Sequence, residues 1–238
     1  MSGVRFPEGL PTNEKGLRMK VLGAVLLSVA VSLTTVLGLQ TWQPSALRFA
    51  EANPAELAVY TKQIRFPKGS CSGVVIAPRT VLTAAHCEQD RMTIDGYRVR
   101  VLKKDDSRDL MVLYAHEVAC PCVQVAAVQP QNGTRVYVVG YPIGIGPFTT
   151  EGLTQGRINF DKLALVIDLQ AVTAIAVSGN SGGGMFIREN GGWKLIGTVS
   201  GFPVIPYQGR FPIMLFHMVF GPSVHSINEF LFNKDLTE

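Results

Sequence analysis

Three polar side chains in this sequence have the types and the surroundings needed for nucleophilic chemistry. Ser181 lies within the segment GNSGG, His86 lies within TAAHC, and Asp109 begins the apolar run DLMVL. A serine among glycines, or a histidine beside a cysteine, carries little information alone. The three together, in the order His, Asp, Ser and with these neighbours, indicate a site with an activated serine nucleophile.

The role of each residue follows from the chemistry of its side chain. A serine hydroxyl is a weak nucleophile at neutral pH, so an adjacent base must take its proton. An imidazole suits this task because its unperturbed pKa of about 6.5 lets it accept and return a proton. A carboxylate holds the imidazole in the required tautomer. We therefore assign Ser181 as the nucleophile, His86 as the base and Asp109 as the residue that orients the base.

The glycines around the serine predict a second part of the site. Glycine adopts the backbone angles of a tight turn that larger residues resist. Such a turn can direct the backbone N–H groups of Gly179 and Ser181 at one point, where they would bind the oxyanion of a tetrahedral intermediate. Each donor of this kind contributes about 3–4 kcal/mol to catalysis.

Residues 61–232 resemble the chymotrypsin/trypsin-like serine proteases, and more closely their HtrA-like branch, as a protease domain without a PDZ domain. The histidine and serine segments carry the resemblance first. Three further motifs match the family, namely CSGVVI at 71–76, VVGYPIG at 138–144 and GTVSG at 197–201. The resemblance implies a serine endopeptidase that cleaves proteins through an acyl-enzyme.

The resemblance also implies an all-β fold of two six-stranded antiparallel β-barrels, about 61–128 and 129–220, closed by a C-terminal helix. The local sequence patterns agree with this fold. Residues 97–102 alternate with period two after an Asp-Gly turn, and two apolar runs flank a turn at 190–192. Apolar residues at helical spacing from 224 to 231 follow Pro-Ser, which is typical of a helix start.

One substitution in the serine segment separates this chain from the digestive enzymes of the family. Asn180 occupies the position of an aspartate that pairs with a newly cut N-terminus in those enzymes. The resemblance therefore argues against activation by that ion pair in this chain.

The resemblance places the substrate pocket at Ile175 and at Val199, Ser200 and Gly201. No acidic side chain lies in 174–176 or 199–201, which argues against a preference for Lys or Arg at the cleaved position. No histidine lies there either, which argues against glutamate. We expect cleavage after a small or aliphatic residue.

The chain has four cysteines. In the family a disulfide lies beside the active site, and Cys71 and Cys87 match its positions; such a pair indicates an oxidising compartment. For Cys120 and Cys122 the sequence leaves two alternatives open, namely a local disulfide between them and a disulfide between two chains. A zinc site needs four ligands, and no cysteine follows Cys122 in the chain to complete one. We therefore predict no metal and no cofactor.

The N-terminal region predicts a membrane anchor. Residues 21–40 contain no charged side chain, and about 19 apolar residues span a bilayer as a helix. Basic residues are concentrated in the preceding tail, 1–20, which the positive-inside rule keeps in the cytoplasm. We expect a single-pass protein with a linker at 41–60 and a protease domain at 61–238 outside the cytoplasm. A cleaved signal peptide and a secreted product are the alternative.

The overall charge excludes one class of partner. The net charge is +4, and the basic residues are scattered without an aromatic platform, so the sequence does not predict a nucleic-acid groove. Two other functions remain open at this stage, namely a protease-fold binding protein without catalysis and an esterase or acyl transferase that uses the same triad. The sequence does not address the oligomeric state.

Overall fold

The computed structural model describes residues 54–158, 168–202, 204–205, 213–214 and 217–233. The predicted tail at 1–20, the predicted membrane segment at 21–40 and most of the predicted linker lie outside the described residues. None of the helices in the described part of the chain has the length and apolar character needed to cross a bilayer.

The first sheet is built from the N-terminal half of the described chain, and all of its strand pairs are antiparallel. Its spatial order is β5-β4-β1-β2-β3-β7-β6. The strands are β1 (Thr61–Phe66), β2 (Gly69–Ala77), β3 (Thr80–Thr83), β4 (Thr93–Ile94), β5 (Tyr97–Arg98), β6 (Arg100–Asp105) and β7 (Leu110–Tyr114).

The second sheet has the spatial order β16-β11-β10-β9-β12-β13-β8. Phe220 in β16 accepts a hydrogen bond from the Ser200 N–H (2.8 Å), just beyond β13, so the sheet curves back on itself. The strands are β8 (Gln124–Val125), β9 (Arg135–Gly140), β10 (Phe148–Ile158), β11 (Leu169–Val172), β12 (Gly184–Glu189), β13 (Gly192–Thr198) and β16 (Val219–Pro222). The remaining strands, β14 (Val204–Ile205) and β15 (Ile213–Met214), pair with each other.

The all-β prediction is confirmed, but the expected strand number is wrong. Each sheet has seven strands in the described residues rather than six. The short β5 is added to the first sheet because Asp95 (φ 52°) and Gly96 (φ 87°) form a tight turn that folds it back on β4. In the second sheet, β8 pairs in parallel with β13 through Gln124 and Val125.

The predicted hairpin after the serine segment is present as β12 and β13. Its turn has Asn190 at φ 50° and Gly191 at φ 78°, which are backbone angles that Asn-Gly adopts at low cost. The hairpin register is therefore specified by two adjacent residues.

Within the described residues, two α-helices flank the sheets, α1 (Pro54–Ala58) and α2 (Val224–Phe232). The side chain of Ser223 accepts a hydrogen bond from the Ser226 N–H at the start of α2. At the opposite end, Lys103 donates to the carbonyl oxygens of Phe230 (2.6 Å) and Asn233 (3.0 Å). The first sheet thereby holds the last turn of the helix.

One apolar cluster joins the two sheets to both helices, and its members are all buried. First-sheet residues pack with second-sheet residues and with residues of α1 and α2 in this cluster. Its largest members are Leu57, Leu82, Leu110, Tyr137, Phe186, Leu195, Ile227 and Phe230. This packing brings the histidine and aspartate segments of one sheet against the serine segment of the other.

Candidate active site

His86 lies in a single 3-10 turn, Ala85–Cys87, directly after β3. Ala85 and Cys87 are buried and anchor the turn, whereas the His86 side chain between them is 47% exposed. The turn therefore presents the imidazole at the surface of the first sheet while its neighbours belong to the core.

Asp109 lies directly before β7 and contacts His86 at two points. Its Oδ1 accepts the His86 backbone N–H at 2.9 Å. Both carboxylate oxygens lie 3.0 Å from His86 Nδ1. With the proton on Nδ1, this contact leaves Nε2 free to act as a base. Asp109 has φ 53°, a left-handed conformation that aspartate tolerates better than most residues.

The hydrogen bond that His86 Nδ1 donates to Asp109 raises the pKa of His86 above its ordinary value. Partial burial of the ring lowers the pKa, and the negative charge of Asp109 raises it further, with a net upward shift. The imidazolium that forms during catalysis is thereby stabilised.

The two neighbouring aspartates are engaged elsewhere. The Asp105 carboxylate accepts hydrogen bonds from Ser107 (2.6 Å) and Arg108 (2.6 Å). Partial burial raises the pKa of Asp105, but these hydrogen bonds outweigh it and hold the pKa below its usual value. Asp106 pairs with Lys104 at 2.8 Å. Neither carboxylate takes the place of Asp109 at the imidazole.

Ser181 is fixed next to the histidine turn through its backbone. Its carbonyl oxygen accepts the Ser72 N–H at 2.7 Å and lies 3.7 Å from the Sγ of Cys87. Among the described residues, no hydrogen bond joins the Ser181 hydroxyl to His86. Such contacts are often long in a free enzyme and shorten when substrate binds.

Gly182 explains how the two segments approach so closely. It has φ 77°, and a Cβ at this position would overlap the Thr83 hydroxyl and the Ser72 carbonyl oxygen. Only glycine fits between the serine segment and the strand that leads to His86.

The predicted oxyanion donors are both unpaired within the described residues. The Ser178 carbonyl accepts the Ile143 N–H at 2.7 Å, and the Asn180 carbonyl accepts the Gly183 N–H at 2.8 Å. In a trans peptide the N–H points away from the C=O. The N–H groups of Gly179 and Ser181 therefore point away from these contacts and are available to a ligand.

Of the predicted pocket residues, Val199 is hydrogen-bonded to the serine segment, and the other three have partners elsewhere or none among the described residues. The Val199 carbonyl oxygen accepts the Gly182 N–H at 2.7 Å, and the Val199 N–H donates to the Gly183 carbonyl oxygen at 2.8 Å. Gly201 pairs with Phe220, and the Ser200 hydroxyl is buried without a hydrogen-bond partner in the described part of the chain. The Ile175 carbonyl accepts a hydrogen bond from the Thr150 hydroxyl at 3.0 Å.

Both cysteine pairs form disulfides. The predicted Cys71–Cys87 bond is confirmed, with the two Cα atoms 6.2 Å apart. Cys120 and Cys122 form the local disulfide that the sequence left open. No cluster of potential metal ligands occurs in the described residues.

One buried polar residue of this site has no counterpart in the sequence predictions. Ser72 lies on β2 with no exposed surface, and its hydroxyl donates to the Gly179 carbonyl oxygen at 2.8 Å. A serine inside an apolar strand requires a hydrogen-bond partner, which was the only available signal. That signal could not identify the partner, because Gly179 is 107 residues away in the chain.

The chain belongs to the family of the trypsin-like peptidase domain, whose model matches residues 71–197. This match includes His86, Asp109 and Ser181. A comparison with curated proteins finds no match.

Solved structures of serine proteases share the fold. The inactive serine-to-alanine mutant of Rv3671c from M. tuberculosis is 22% identical in sequence and has a TM-score of 0.64. The match covers 80% of this chain and 93% of that chain. Its active form is 23% identical, with a TM-score of 0.62 over 83% of this chain and 93% of that chain. The HtrA-type protease AlgW with a tripeptide is 20% identical, with a TM-score of 0.59, and the match covers 75% of this chain and 62% of AlgW. The predicted resemblance to the trypsin-like proteases is confirmed, and an HtrA-type protease shares the fold.

Proposed function

We propose that this protein is a serine endopeptidase that cleaves protein substrates through an acyl-enzyme. The observation that carries the proposal is the Asp109 carboxylate, which contacts both the backbone and the ring of His86. Beside it lies a serine segment with two N–H groups that have no acceptor among the described residues. Membership of the trypsin-like family supports it.

In the proposed mechanism, His86 Nε2 takes the proton of the Ser181 hydroxyl as its oxygen attacks the carbonyl carbon of the substrate. The N–H groups of Gly179 and Ser181 bind the oxyanion of the tetrahedral intermediate. His86 then gives its proton to the leaving amine, the peptide bond breaks, and the acyl-enzyme remains on Ser181. A water molecule, activated by His86, hydrolyses the ester and regenerates the hydroxyl.

Reaction of the full-length protein with a fluorophosphonate tests the nucleophile, because this reagent labels only an activated serine. Wild type should be labelled at Ser181, and Ser181→Ala and His86→Ala should be unlabelled yet folded. Loss of one triad member removes most of the turnover, on the order of a million-fold in a related case. Folded wild-type protein that resists labelling would instead support a binding protein without catalysis.

Comparison of peptide and ester substrates separates the remaining alternative. An endopeptidase should cut internal peptide bonds in a peptide library, with products identified by mass spectrometry. Turnover of small esters without cleavage of any peptide would support an esterase or acyl transferase.

We further propose that cleavage follows a small or aliphatic residue. The proposal is supported by the uncharged character of Ile175, Val199, Ser200 and Gly201, which leaves a Lys, Arg or Glu side chain without a counter-charge. The same peptide library measures this preference. A preference for a charged residue at the cleaved position would contradict the pocket assignment.

We also propose that residues 21–40 anchor the enzyme in a membrane with the catalytic domain outside the cytoplasm. The support is the uncharged apolar segment and the basic residues that precede it. The Cys71–Cys87 disulfide, which is typical of an oxidising compartment, agrees with export of this domain.

A further inference from the structure

Ser72 is the best candidate for a further role, because it is buried, polar and linked to the serine segment. Its hydroxyl has no exposed surface and makes two hydrogen bonds. It donates to the Gly179 carbonyl oxygen at 2.8 Å and accepts the Tyr141 backbone N–H at 2.8 Å. One side chain of the first sheet therefore connects two loops of the second.

The peptide that Ser72 holds lies between the two oxyanion donors. The Gly179–Asn180 peptide separates the N–H of Gly179 from the N–H of Ser181. Its carbonyl oxygen accepts the Ser72 hydroxyl, and its N–H donates to the Val177 carbonyl oxygen at 3.0 Å. Because each peptide is planar, the orientation of this middle unit sets the angle between the two donors.

We propose that Ser72 is a positioning residue that holds the oxyanion donors in their catalytic orientation, an inference that rests on the proposed function. Gly179 has φ 96°, and the freedom of glycine gives this peptide other orientations at little steric cost. Without the Ser72 hydroxyl, the buried Gly179 carbonyl oxygen would lose its hydrogen bond and would rotate toward another donor. The relative direction of the two N–H groups would then change.

The turn that precedes β10 is part of the same arrangement. Tyr141 donates its N–H to Ser72, and Ile143 donates its N–H to the Ser178 carbonyl oxygen at 2.7 Å. Ile143 has φ 46°, a conformation that a β-branched residue adopts only when its surroundings impose it. Ser72 thus joins this turn to the peptide between the donors.

Ser223 provides a matched control for the loss of a buried hydroxyl. It is also fully buried, its Oγ bonds to the Asp168 carboxylate, and it accepts the Ser226 N–H at 3.2 Å. It lies at the start of α2, and none of its hydrogen bonds among the described residues goes to the serine segment. Ser72→Ala and Ser223→Ala each remove a fully buried hydroxyl; because the Ser223 hydroxyl bonds to a carboxylate, its loss should cost the fold at least as much stability as the loss of the Ser72 hydroxyl.

The experiment measures kcat and KM on a peptide substrate for the full-length wild type, Ser72→Ala and Ser223→Ala. It also measures the inhibition constant of a peptide aldehyde, whose adduct with Ser181 places an oxyanion between the donors. For Ser72→Ala we expect kcat to fall about 10- to 100-fold, less than the roughly 100- to 1,000-fold loss of a whole donor. KM should stay within about threefold, and the aldehyde constant should rise in parallel with the loss in kcat.

Two controls separate positioning from a general loss of structure. Ser223→Ala should lower the thermal midpoint while leaving kcat and aldehyde affinity close to wild type. Ser72→Thr, which keeps the hydroxyl, should recover part of the kcat lost in Ser72→Ala. If Ser72→Ala keeps wild-type kcat and aldehyde affinity, or loses only as much as Ser223→Ala, the positioning role is overturned.

Failure of the proposed function would give a different result. Wild type would then neither cut peptides nor react with a fluorophosphonate, whatever the residue at position 72. In that case crystal structures of wild type and Ser72→Ala decide the inference. An unchanged orientation of the Gly179–Asn180 peptide in the variant would overturn it.

Discussion

The Asp109 carboxylate holds His86 through two groups, the backbone N–H and the ring Nδ1. Asp109 accepts both the backbone N–H and the ring Nδ1 of His86, so the carboxylate fixes the position and the tautomer of the imidazole together. Its side chain is only 10% exposed, which protects these hydrogen bonds from competition by water. The aspartate therefore acts through the histidine rather than on the substrate.

Replacement of Asp109 should test this role. Asp109→Asn should lower kcat by about 10,000-fold, because an amide favours the wrong tautomer of His86. Asp105→Asn is the control, since the Asp105 carboxylate is occupied by Ser107 and Arg108. Steady-state kinetics on both variants measures the difference, and a larger loss in Asp105→Asn would contradict the assignment.

The pKa of His86 predicts the pH dependence of activity. Its pKa is raised by Asp109 above the ordinary value of 6.5, and the base must be neutral to accept a proton. The kcat/KM profile should therefore rise through an acidic limb whose midpoint lies above 6.5. Asp109→Asn removes the cause and should move the midpoint to lower pH. A wild-type midpoint below 6.5 would contradict this reading.

The same shift has a consequence for stability. Because the folded-state pKa of His86 is raised, protonated His86 stabilises the folded state. This contribution is fully present below the unfolded pKa and is lost as the pH rises through the folded pKa. Activity and this part of the stability thus change in opposite directions over the same pH range.

At the scale of secondary structure, the turn that carries His86 is tied to the middle of the first sheet. Cys87 follows the base directly, and its disulfide to Cys71 joins the turn to β2. Ser72, the next residue in β2, contacts the serine segment. One strand therefore supports both the base and the loop that carries the nucleophile.

Removal of this disulfide should weaken both the fold and the site. Cys71→Ala/Cys87→Ala should lower the free energy of unfolding by about 2–4 kcal/mol, because the unfolded chain gains conformational freedom. The activity of the folded variant should also fall, since the His86 turn loses its link to β2. Denaturant unfolding and kinetics on the same preparation measure both effects. Recovery of both cysteines as free thiols from the native compartment would contradict the pairing.

The start of α2 provides a prediction that is independent of catalysis. Ser223→Ala should lower the free energy of unfolding by at least about 0.5–2 kcal/mol, because the Ser226 N–H loses its capping partner and the buried Asp168 carboxylate loses a hydrogen bond. Ser223→Asn restores an N-cap side chain and should recover part of the loss. Equal stability of the alanine variant and wild type would show that the cap contributes nothing.

At the scale of the whole molecule, the site forms where the two sheets meet. The first sheet supplies His86 and Asp109, the second supplies Ser181, and the apolar cluster shared by the sheets and helices holds them together. The residues of the site therefore depend on the packing of the sheets rather than on any one strand. Substitutions in the shared core should affect activity and stability together.

The apolar segment at 21–40 leads to a prediction for the full-length protein. If residues 21–40 form the proposed anchor, the intact chain should remain with membranes after a carbonate wash, because a helix of about 20 apolar residues is long enough to span the bilayer. A chain that starts at residue 41 should be released, which makes it the matched control. A soluble wild-type product whose sequence begins near residue 39 would instead support a cleaved signal peptide.

The sequence by itself determined those features that depend on residues close together in the chain. The tight turns at Asp95-Gly96 and Asn190-Gly191 follow from the backbone angles of these residues, and the start of α2 follows from its cap. The family of the chain was recognisable because its serine and histidine motifs are local as well. The Cys71–Cys87 disulfide was predicted only through the family resemblance.

Only the tertiary structure decided which distant groups meet. Gln124 and Val125 show no alternation long enough to predict a parallel partner, so the seventh strand of the second sheet was not foreseen. The hydrogen bond from Ser72 to Gly179 joins residues 107 positions apart, and no local sequence pattern predicts it. A serine buried in an apolar strand requires a hydrogen-bond partner, but the packing of the two sheets determines which group that partner is.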